Sequence, residues 1–518
     1  MNLKTAQFLL KGSLKKFRDR VVMKLDGCEL TYAELDRRSN ILANALAGLG
    51  YGPGDKVIMI LPNSIEIAVI SVAIMKTGAA ITSLNIWLSA REIGYILKDS
   101  GVKAIFVAPE FYELVQKAKG EMPRIEHVIA VGAEFPEDFT HYDRLVAGGL
   151  DKELPPNAAE GDLFLISYTG GTTGTPKGVM QTQSGLYYNL LSHCLELGMT
   201  HDERLLLMTP LSHAAGLLMF LGMLKGAQMI VESKFDPFRA LERIEQERIT
   251  TLFAVPTIIY VFLDILKQKP YDMRSLRQIT YGAAPISEKR LAEALNVFGP
   301  IFMQAYGLTE CPSMISILTP YDHLRSLDDP AILQSCGRPA LMCAVRILDE
   351  QNNDLPPGAV GEIAVRSPYL MKGYHNKPEE TAKALTPDGW LLTGDMGKLS
   401  TDGYLYLVDR KKDMIISGGM NVYSIEVEEV INKHPKVRQA SVIGVPDDHW
   451  GEAVTAVVVA EEGCSEAELL DFCRSKMAKY MQPKNVIFQN QLPQTTVGKI
   501  DKNALRAAFW SGKARNVN

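Results

Sequence analysis

Short apolar runs alternate with stretches of helical periodicity along the first 150 residues. Residues 31–34 have the form of a capping box, leucines follow at helical spacing, and a Gly-Pro-Gly triplet at 52–54 breaks the pattern. The run at 57–61 predicts a buried strand, residues 65–77 an apolar helix and residues 104–108 another strand. This alternation predicts a mainly parallel sheet that helices cover on both faces.

The same alternation returns in the middle of the chain. Apolar runs and helical periodicity predict strands at 163–167, 204–209, 251–255 and 278–281, and helices at 236–248 and 286–298. From about 340 to 410 the pattern changes to short strand-like runs between Gly, Pro and Asp. That pattern predicts a β-rich lobe with strands at 344–348, 362–365 and 404–407.

A charged run at 409–413 marks a second change in the pattern. Beyond it, a small α+β unit is predicted, with strands at 440–445, 453–460 and 485–489 and a helix at 465–477. The sequence therefore predicts an α/β protein with a large N-terminal domain, residues 1–410, and a small α+β C-terminal domain, residues 411–518. The large domain should contain two covered α/β sheet lobes plus the β-rich lobe.

The composition is that of a soluble globular protein. The chain has 518 residues, 47% of them hydrophobic and 22% charged, and its net charge of −5 does not indicate a nucleic-acid-binding surface. The longest apolar run, near 67–75, is far shorter than the roughly 20 residues of a membrane span, so we expect no transmembrane segment. Seven scattered cysteines without a C-x-x-C pair indicate reduced thiols and a cytoplasmic protein.

A glycine- and threonine-rich stretch at 168–178 follows the strand predicted at 163–167. It contains four glycines, four threonines and one lysine. Glycine lets backbone N–H groups approach an anion, threonine adds donors, and lysine adds positive charge, so the stretch is predicted to hold phosphate. It is not a Walker A loop, because Pro176 precedes the lysine and Gly178 follows it. A flexible linker is the alternative. The candidate phosphate-binding residues are Thr169, Gly170, Gly171, Thr172, Thr173, Gly174 and Lys177.

Five further motifs accompany this loop, and each is weak alone. They are Gly-Ala-Ala-Pro at 282–285, Tyr-Gly-Leu-Thr-Glu at 306–310, Trp-Leu-Leu-Thr-Gly-Asp at 390–395, Asp-Arg-Lys-Lys-Asp at 409–413 and Gly-Lys-Ile-Asp-Lys at 498–502. In this order and spacing they closely resemble the adenylate-forming superfamily of acyl-CoA synthetases, luciferases and peptide-synthetase adenylation domains. The resemblance covers about residues 28–507.

The resemblance implies an ATP-dependent acyl-CoA ligase that uses ATP, Mg²⁺ and coenzyme A and acts on a small-molecule carboxylic acid. In such enzymes the carboxylate attacks the α-phosphate of ATP, which gives acyl-AMP and pyrophosphate, and a thiol then takes the acyl group. Phosphoryl transfer depends mainly on positioning and on charge stabilisation. The reaction therefore requires donors to phosphate, a metal ligand, residues that hold the AMP and a mobile cation. The residue types of these motifs are able to supply them.

The catalytic residues implied by the resemblance are Lys499, Thr309, Glu310 and His213. Lys499 would reach the carboxylate and the α-phosphate during adenylation only, and Thr309 would contact the α-phosphate. Glu310 would bind Mg²⁺, to which a hard oxygen ligand is suited. His213 would lie at the wall of the acyl pocket; a core histidine without a functional role is the alternative.

The resemblance also implies which residues bind the nucleotide and coenzyme A. Tyr306 would lie flat on adenine, Asp395 would accept from the ribose hydroxyls, and Arg410 would lie near ribose and the α-phosphate. The purine edge would be lined by Gly282, Ala283, Ala284 and Gln304. Lys412 falls at the family's hinge, which implies that the small domain is mobile. After rotation, Gly418 and Gly419 would let a pantetheine arm pass close to the backbone.

The substrate is predicted from the stretch His213–Leu217. Amino-acid-activating domains usually carry an Asp here, and this stretch has none. Its small apolar residues favour an uncharged hydrophobic acid, a medium- or long-chain fatty acid in the first place and an aryl acid in the second. A stand-alone enzyme that loads a carrier protein, a luciferase-like second step and a nucleotide-binding pseudoenzyme scaffold remain alternatives. The oligomeric state stays open, with a homodimer as one option.

Overall fold

The computed structural model describes residues 3–84, 88–119, 125–132, 135, 139–169, 176–284, 286–447, 449–494 and 500–510. Within these ranges the helices are α1 (Ala6–Lys16), α2 (Tyr32–Gly48), α3 (Ile65–Thr77), α4 (Ala90–Ser100), α5 (Tyr112–Lys119), α6 (Tyr142–Val146), α7 (Gln183–Glu196), α8 (Ala214–Lys225), α9 (Pro237–Gln246), α10 (Pro256–Leu266), α11 (Glu288–Phe298), α12 (Pro320–Arg325), α13 (Pro378–Ala384), α14 (Ser424–Asn432), α15 (Glu466–Arg474) and α16 (Lys502–Trp510). Short 3₁₀ turns cover Pro109–Phe111 and Pro330–Gln334.

The strands of the same ranges are β1 (Val21–Leu25), β2 (Cys28–Thr31), β3 (Lys56–Ile60), β4 (Ala80–Ser83), β5 (Ala104–Val107), β6 (His127–Ala130), β7 (Thr140–His141), β8 (Leu163–Thr169), β9 (Lys177–Thr182), β10 (Arg204–Leu207), β11 (Gln228–Val231), β12 (Thr251–Ala254), β13 (Gln278–Gly282), β14 (Phe302–Tyr306), β15 (Ser316–Leu318), β16 (Arg338–Pro339), β17 (Ala344–Leu348), β18 (Gly361–Arg366), β19 (Gly373–Tyr374), β20 (Leu391–Leu399), β21 (Leu405–Arg410), β22 (Ile415–Ser417), β23 (Met420–Val422), β24 (Val437–Asp447), β25 (Gly451–Ala460) and β26 (Asn485–Phe488).

Two large sheets form most of the N-terminal part. One has the strand order β16-β15-β14-β13-β12-β10-β11-β1-β2, and the other β19-β9-β8-β4-β3-β5-β6-β7. Their central pairs are parallel, as the strand–helix alternation predicted, while β8–β9 and the edge pairs β1–β2, β14–β15 and β19–β9 are antiparallel. The parallel centre brings the carboxyl ends of β13 and β14 together at one edge.

Helix α3 lies in the apolar core that the two large sheets share. Its sequence is apolar around its whole circumference, and all its residues except Glu66 are buried. The same core includes Val57 of β3 from one sheet and Leu205 of β10 from the other. A helix that is apolar all round must be enclosed on all sides, and α3 is enclosed by both sheets and their helices. The helix predicted at 65–77 is thereby confirmed.

The β-rich lobe and the small C-terminal unit have sheets of their own. The lobe is an antiparallel sheet with the order β17-β18-β20-β21. The C-terminal sheet has the order β23-β22-β25-β24, with β26 paired to β25; helices α14 and α16 pack on it, and α15 packs on α14. Among the described residues, the buried apolar side chains of this unit form clusters without a member before Ile415. The predicted α/β fold class, with several sheets and a smaller α+β unit, is confirmed.

Candidate active site

Most of the described candidate residues lie where three sheets meet. Strands β13 and β14 of the nine-stranded sheet end at Gly282 and Tyr306, and strands β8 and β9 of the eight-stranded sheet pair at Thr169 and Lys177. The third sheet, that of the β-rich lobe, contributes Asp395 on β20. In α/β sheets, ligands bind outside the carboxyl ends of parallel strands, which is where β13 and β14 bring their final residues.

The two ends of the predicted phosphate loop lie on the paired strands β8 and β9. Thr169 and Lys177 are directly paired at its base, and Oγ1 of Thr169 donates to the carbonyl oxygen of Lys177 at 3.5 Å. The candidates Gly170, Gly171, Thr172, Thr173 and Gly174 lie outside the described residues. The strand pair therefore fixes both ends of the loop on adjacent strands of the sheet.

Lys177 and Glu310 are linked through one aromatic side chain, Tyr374. Nζ of Lys177 lies 5.1 Å from the centre of the Tyr374 ring and 2.7 Å from Oε2 of Glu380. The hydroxyl of Tyr374 donates to Oε1 of Glu310 at 2.8 Å. The lysine assigned to phosphate thus contacts the ring of Tyr374, and the carboxylate assigned to the metal contacts its hydroxyl.

The loop that follows β14 presents Thr309 and Glu310. Gly307 begins this loop, and a Cβ atom there would lie 2.4 Å from the carbonyl carbon of Ser313, so only glycine fits. The carbonyl of Thr309 accepts from Nε2 of Gln181 at 3.2 Å. The carbonyl of Glu310 accepts from the backbone N–H of Met371 at 2.8 Å. The main chain of the motif is therefore held from both sides.

The residues assigned to the purine edge lie at the ends of β13 and β14. Gly282 is paired with Ala305, and a Cβ on Gly282 would lie 2.3 Å from the Ala305 carbonyl oxygen. Ala283 follows with a φ of +66° and is exposed, and Ala284 is half-buried. Gln304 accepts a hydrogen bond from the Tyr281 hydroxyl at 3.2 Å. The tight approach of the two strand ends explains the glycine of this motif.

Tyr306, Asp395 and Arg410 form one polar group. The Tyr306 hydroxyl donates to Oδ2 of Asp395 at 2.7 Å, and Nε of Arg410 lies 3.7 Å from Oδ1. Asp395 and Arg410 are also paired across β20 and β21. Burial, and then the charge of Asp395, raise the pKa of the Tyr306 phenol well above its usual value, so the phenol stays a donor.

His213 directly precedes α8 and is exposed. Its carbonyl accepts from the N–H of Gly216 at 2.8 Å, and a Cβ on Gly216 would lie 2.2 Å from the carbonyl oxygen of Leu211. Ala215 is buried in the core shared by the large sheets, with 1% of its surface exposed. Within the predicted wall, His213 and Ala214 are thus the open positions, whereas Ala215 and Gly216 are closed in.

The segment 409–413 connects the lobe to the small unit and is tied on both sides. The backbone N–H of Lys411 donates to Gly394 at 2.9 Å, and the N–H of Asp413 closes a turn onto Arg410 at 2.8 Å. The carboxylate of Asp413 pairs with Arg506 at 2.8 Å. Lys412 is half-buried, and its burial lowers its pKa. The predicted hinge therefore lies between two anchored residues.

A two-residue turn in the small unit carries Gly418 and Gly419. Both have positive φ values, +59° and +77°, as a tight β-hairpin between β22 and β23 requires. The N–H of Gly418 donates to the carbonyl of Trp450 at 2.7 Å. Lys499 lies outside the described residues, but an antiparallel bridge between Gln494 and Ile500 joins the two ends of its loop.

The described side chains fit the implied cofactors. No group of three or more His, Cys, Asp or Glu that could hold a metal occurs in the described ranges, so a metal held by Glu310 would depend on other oxygens. Mg²⁺ suits this, since it is usually bound by one or two carboxylates together with phosphate oxygens and water. The exposed Ala283, directly after β13, suits a purine, and the buried carboxylate of Asp395 suits a ribose.

Three residues of this site were missed by the sequence analysis: Gln181, Tyr374 and Glu380. Gln181 lies on β9, Tyr374 on the two-residue strand β19 and Glu380 on the short helix α13. Each reaches the site through a pairing between distant segments, such as Tyr374 with Val179. Local periodicity carries no signal for such pairings, and only the proximity of Gln181 to the glycine-rich stretch could have indicated it.

No helix in the described ranges has both the length and the apolar character needed to cross a bilayer. All seven cysteines are described, and none forms a disulfide, as the scattered spacing predicted.

Two family models match most of the chain. A family model described as "AMP-binding enzyme" matches residues 10–375, and one described as "AMP-binding enzyme C-terminal domain" matches residues 426–499.

Two curated relatives are similar over almost their full length. The chain is 37% identical to a medium/long-chain-fatty-acid–CoA ligase of Mycobacterium tuberculosis, over 98% of this chain and 91% of the relative. It is 38% identical to a feruloyl-CoA synthase of an Amycolatopsis species, over 93% of this chain and 94% of the relative. Among solved structures, an amide bond synthetase from Marinactinospora thermotolerans superposes with a TM-score of 0.89 at 31% identity, covering 97% of this chain and 99% of the other.

Proposed function

The chain belongs to the AMP-binding enzyme family, as its motifs predicted, and we propose that it is an acyl-CoA ligase for a medium- or long-chain fatty acid. The class of AMP-forming acid–CoA ligases is confirmed by the full-length relatives. The identity of the acid and the role of each residue are our proposal. Its main structural support is the convergence of Lys177, Glu310 and Asp395 where three sheets meet.

The first half-reaction joins the acid to AMP. A carboxylate oxygen attacks the α-phosphorus of ATP, the bond to the bridging oxygen breaks, and pyrophosphate leaves with that electron pair. Lys177 and the threonines of the predicted phosphate loop would bind the β- and γ-phosphates, and Thr309 the α-phosphate. Glu310 would hold Mg²⁺, which when bound supplies charge neutralisation for the phosphates. Lys499 would bring positive charge to the attacking carboxylate and the α-phosphate.

The second half-reaction transfers the acyl group to a thiol. The sulfur of coenzyme A attacks the acyl carbon, and AMP leaves. In our proposal the C-terminal unit, residues 411–518, rotates at Lys412 between the steps, so that Lys499 leaves and the Gly418–Gly419 turn approaches. The two positive φ values favour glycine, and the absence of side chains at this turn suits close passage of a slender pantetheine chain.

The fatty acid is favoured by the wall at His213–Leu217. It offers Ala214 and Leu217 without a carboxylate to pair with a substrate ammonium. A hydrophobic acid needs a hydrophobic wall, and a relative named as a medium/long-chain-fatty-acid–CoA ligase spans the chain.

An aryl acid is the second candidate, supported by the relative named as a feruloyl-CoA synthase. Transfer to a carrier-protein thiol is the third option. Both alternatives leave the adenylation step unchanged. We further propose that the enzyme works in the cytoplasm, where its thiols stay reduced. A homodimer stays a prediction.

One experiment tests these proposals together. Pyrophosphate release is measured over fatty, aryl and amino acids, with and without coenzyme A and with Mg²⁺ or EDTA. We expect the highest rate with a medium- or long-chain fatty acid, formation of its CoA thioester, and loss of activity in EDTA. An optimum at a cinnamate-type acid would replace only the fatty acid. Release without thioester formation would indicate a carrier-protein or other acceptor, and absence of release with every acid would refute the ligase.

A further inference from the structure

The ammonium group of Lys177 is held by the chain's own groups. Oε2 of Glu380 lies 2.7 Å from Nζ, and the ring of Tyr374 lies 5.1 Å away. If Lys177 binds the phosphates of ATP, as the proposed function has it, then the carboxylate of Glu380 and the phosphates are rival anions for one cation.

Glu380 is able to release Lys177 at low cost. Its side chain is 38% exposed and that of Lys177 22%, so water can solvate both groups when they separate. The other carboxylate oxygen of Glu380 lies 3.4 Å from Nζ of Lys383, one turn along α13. Because this second cation remains in place, Glu380 would not be left uncompensated. The hydrogen bond from Lys177 lowers the pKa of Glu380, so this carboxyl is ionised near neutral pH.

Tyr374 provides a fixed support beneath the exchanging ammonium. Its backbone pairs with Val179 of β9, and its N–H donates to Oγ1 of Thr381 at 2.9 Å. Its hydroxyl is bound to Glu310 at 2.8 Å. Because the backbone of Tyr374 is held at two points and its hydroxyl at a third, the ring can keep its cation–π contact while the flexible stem of Lys177 moves Nζ from one anion to the other.

We propose that Glu380 is a built-in counter-ion that occupies Lys177 between turnovers and competes with bound phosphate for it. Glu380 acts only through Lys177 and contacts no substrate, so it is a positioning residue. The competition weakens the affinity for ATP and for pyrophosphate alike. The competition favours the release of pyrophosphate, because Glu380 pairs with Lys177 again when pyrophosphate leaves.

The test is the affinity for pyrophosphate and for ATP, each with Mg²⁺, measured by calorimetry on the full chain. Glu380→Gln keeps the shape of the side chain but removes its charge, and we expect the Kd of both ligands to fall by about fivefold. Product inhibition by pyrophosphate should strengthen to the same extent. Glu380→Asp keeps the charge on a shorter side chain, and its Kd values for both ligands should lie between those of the wild type and of Glu380→Gln.

Glu379→Gln is the matched control. Glu379 is exposed on the same helix, and among the described residues no ion pair to it is found. It changes the net charge equally, so any general effect of charge on anion binding should appear in both variants. We expect its Kd values to stay within about twofold of the wild type. Equal tightening in both variants, or unchanged or weaker binding in a folded Glu380→Gln protein, would overturn the proposal.

Lys177→Ala separates this inference from the proposed function on which it rests. If Lys177→Ala weakens ATP binding while Glu380→Gln has no effect, only the counter-ion role is wrong. If Lys177→Ala binds ATP as the wild type does, the phosphate role of Lys177 is wrong, and the inference falls with it.

Discussion

The hydroxyl of Tyr306 donates a 2.7 Å hydrogen bond to Oδ2 of Asp395, and this bond joins β14 of the nine-stranded sheet to β20 of the β-rich lobe. Each residue is 8% exposed. Our assignment places Tyr306 at adenine and Asp395 at ribose. The two contacts of the nucleoside would therefore be fixed relative to each other before ATP binds, which lowers the ordering cost of binding.

Removing this bond should weaken ATP binding. Tyr306→Phe keeps the ring but leaves Oδ2 of Asp395 without its donor, so we expect KM for ATP to rise by about tenfold, in line with about 1.5 kcal/mol for a hydrogen bond to a charged group. Asp395→Asn should also raise it. If the bond carries the effect, the double variant will be no worse than the worse single variant. Additive losses in steady-state kinetics would mean that each residue acts alone.

Lys499→Ala should abolish the first half-reaction and spare the second. The lysine is assigned to the attacking carboxylate and α-phosphate, so acyl-AMP formation should fall by at least about 100-fold, the usual loss when one charge-stabilising group is removed. Thioester formation from supplied acyl-AMP should stay within about threefold of the wild type, a small change beside the loss expected in the first half-reaction. Equal loss in both assays would assign Lys499 a structural role.

Lys412→Pro should have the reverse effect. Proline fixes φ near −65° and restricts the residue before it, here Lys411, whose N–H is bound to Gly394. We expect adenylation to survive and thioester formation to fall by at least roughly tenfold, or about 1.4 kcal/mol in barrier. Lys412→Ala is the control, because it removes the charge and keeps the torsional freedom. Normal overall turnover of the proline variant would place the hinge at another residue.

Activity should rise with the chain length of the fatty acid and then level off. Each buried CH₂ contributes about 0.8 kcal/mol, or about fourfold in kcat/KM. Ala214→Trp, at an exposed position of the wall, should block the longer acids and spare acetate and propionate. Thermal unfolding checks that the variant folds, and Ala214→Val serves as a smaller step. An optimum at acetate or at an amino acid for the wild type would refute the apolar pocket.

Asp409 should make stability depend on pH. Burial raises its pKa from 3.8 to about 6, although Lys502 acts in the opposite direction. The folded state therefore binds this proton more tightly than the unfolded chain. The resulting stabilisation is fully present below about pH 4 and is lost as pH rises through about 6. The loss in the free energy of unfolding amounts to about 3 kcal/mol at most.

Chemical denaturation of the wild type and Asp409→Asn between pH 4 and 7 measures this effect. Asp409 accepts from the N–H groups of Arg410 and Ser424, and Glu428 pairs with the nearby Lys502. As pH rises over this interval, we expect the free energy of unfolding of the wild type to fall relative to that of Asp409→Asn. Above pH 7 the difference between the two proteins should be constant. A flat difference throughout would mean that the Asp409 carboxyl titrates normally.

The local elements were predictable because their signals are local. Thr31 and Glu34 form the capping box that the sequence indicated, since both partners lie within one helical turn. The strand that ends at Gly282 was indicated by a short apolar run, whereas the strand that ends at Tyr306 was not predicted. In the two predicted cases, a few neighbouring residues determine the structure.

Long-range pairing was not predictable in the same way. Met23 of β1 pairs with Met229 of β11, so the first hairpin joins the nine-stranded sheet and not the sheet that follows it in the chain. The contact of Tyr374 with Glu310 depends on a similar pairing of β19 with β9. The free energy of such contacts comes from packing between distant segments, and a single sequence shows their composition but not their register.

The separate apolar cores on either side of residue 410 determine what holds the C-terminal unit in place. Its contacts with the rest of the chain include the ion pairs Lys411–Glu362 at 2.9 Å and Lys433–Glu288 at 3.9 Å, and the hydrogen bond from Ser424 to Asp409. Water and dissolved ions can replace such bonds when the surfaces part, whereas separated apolar surfaces would have to be hydrated at full cost. The orientation of the C-terminal unit relative to the large domain should therefore depend on ionic strength. An increase in ionic strength should weaken these polar contacts without unfolding either apolar core.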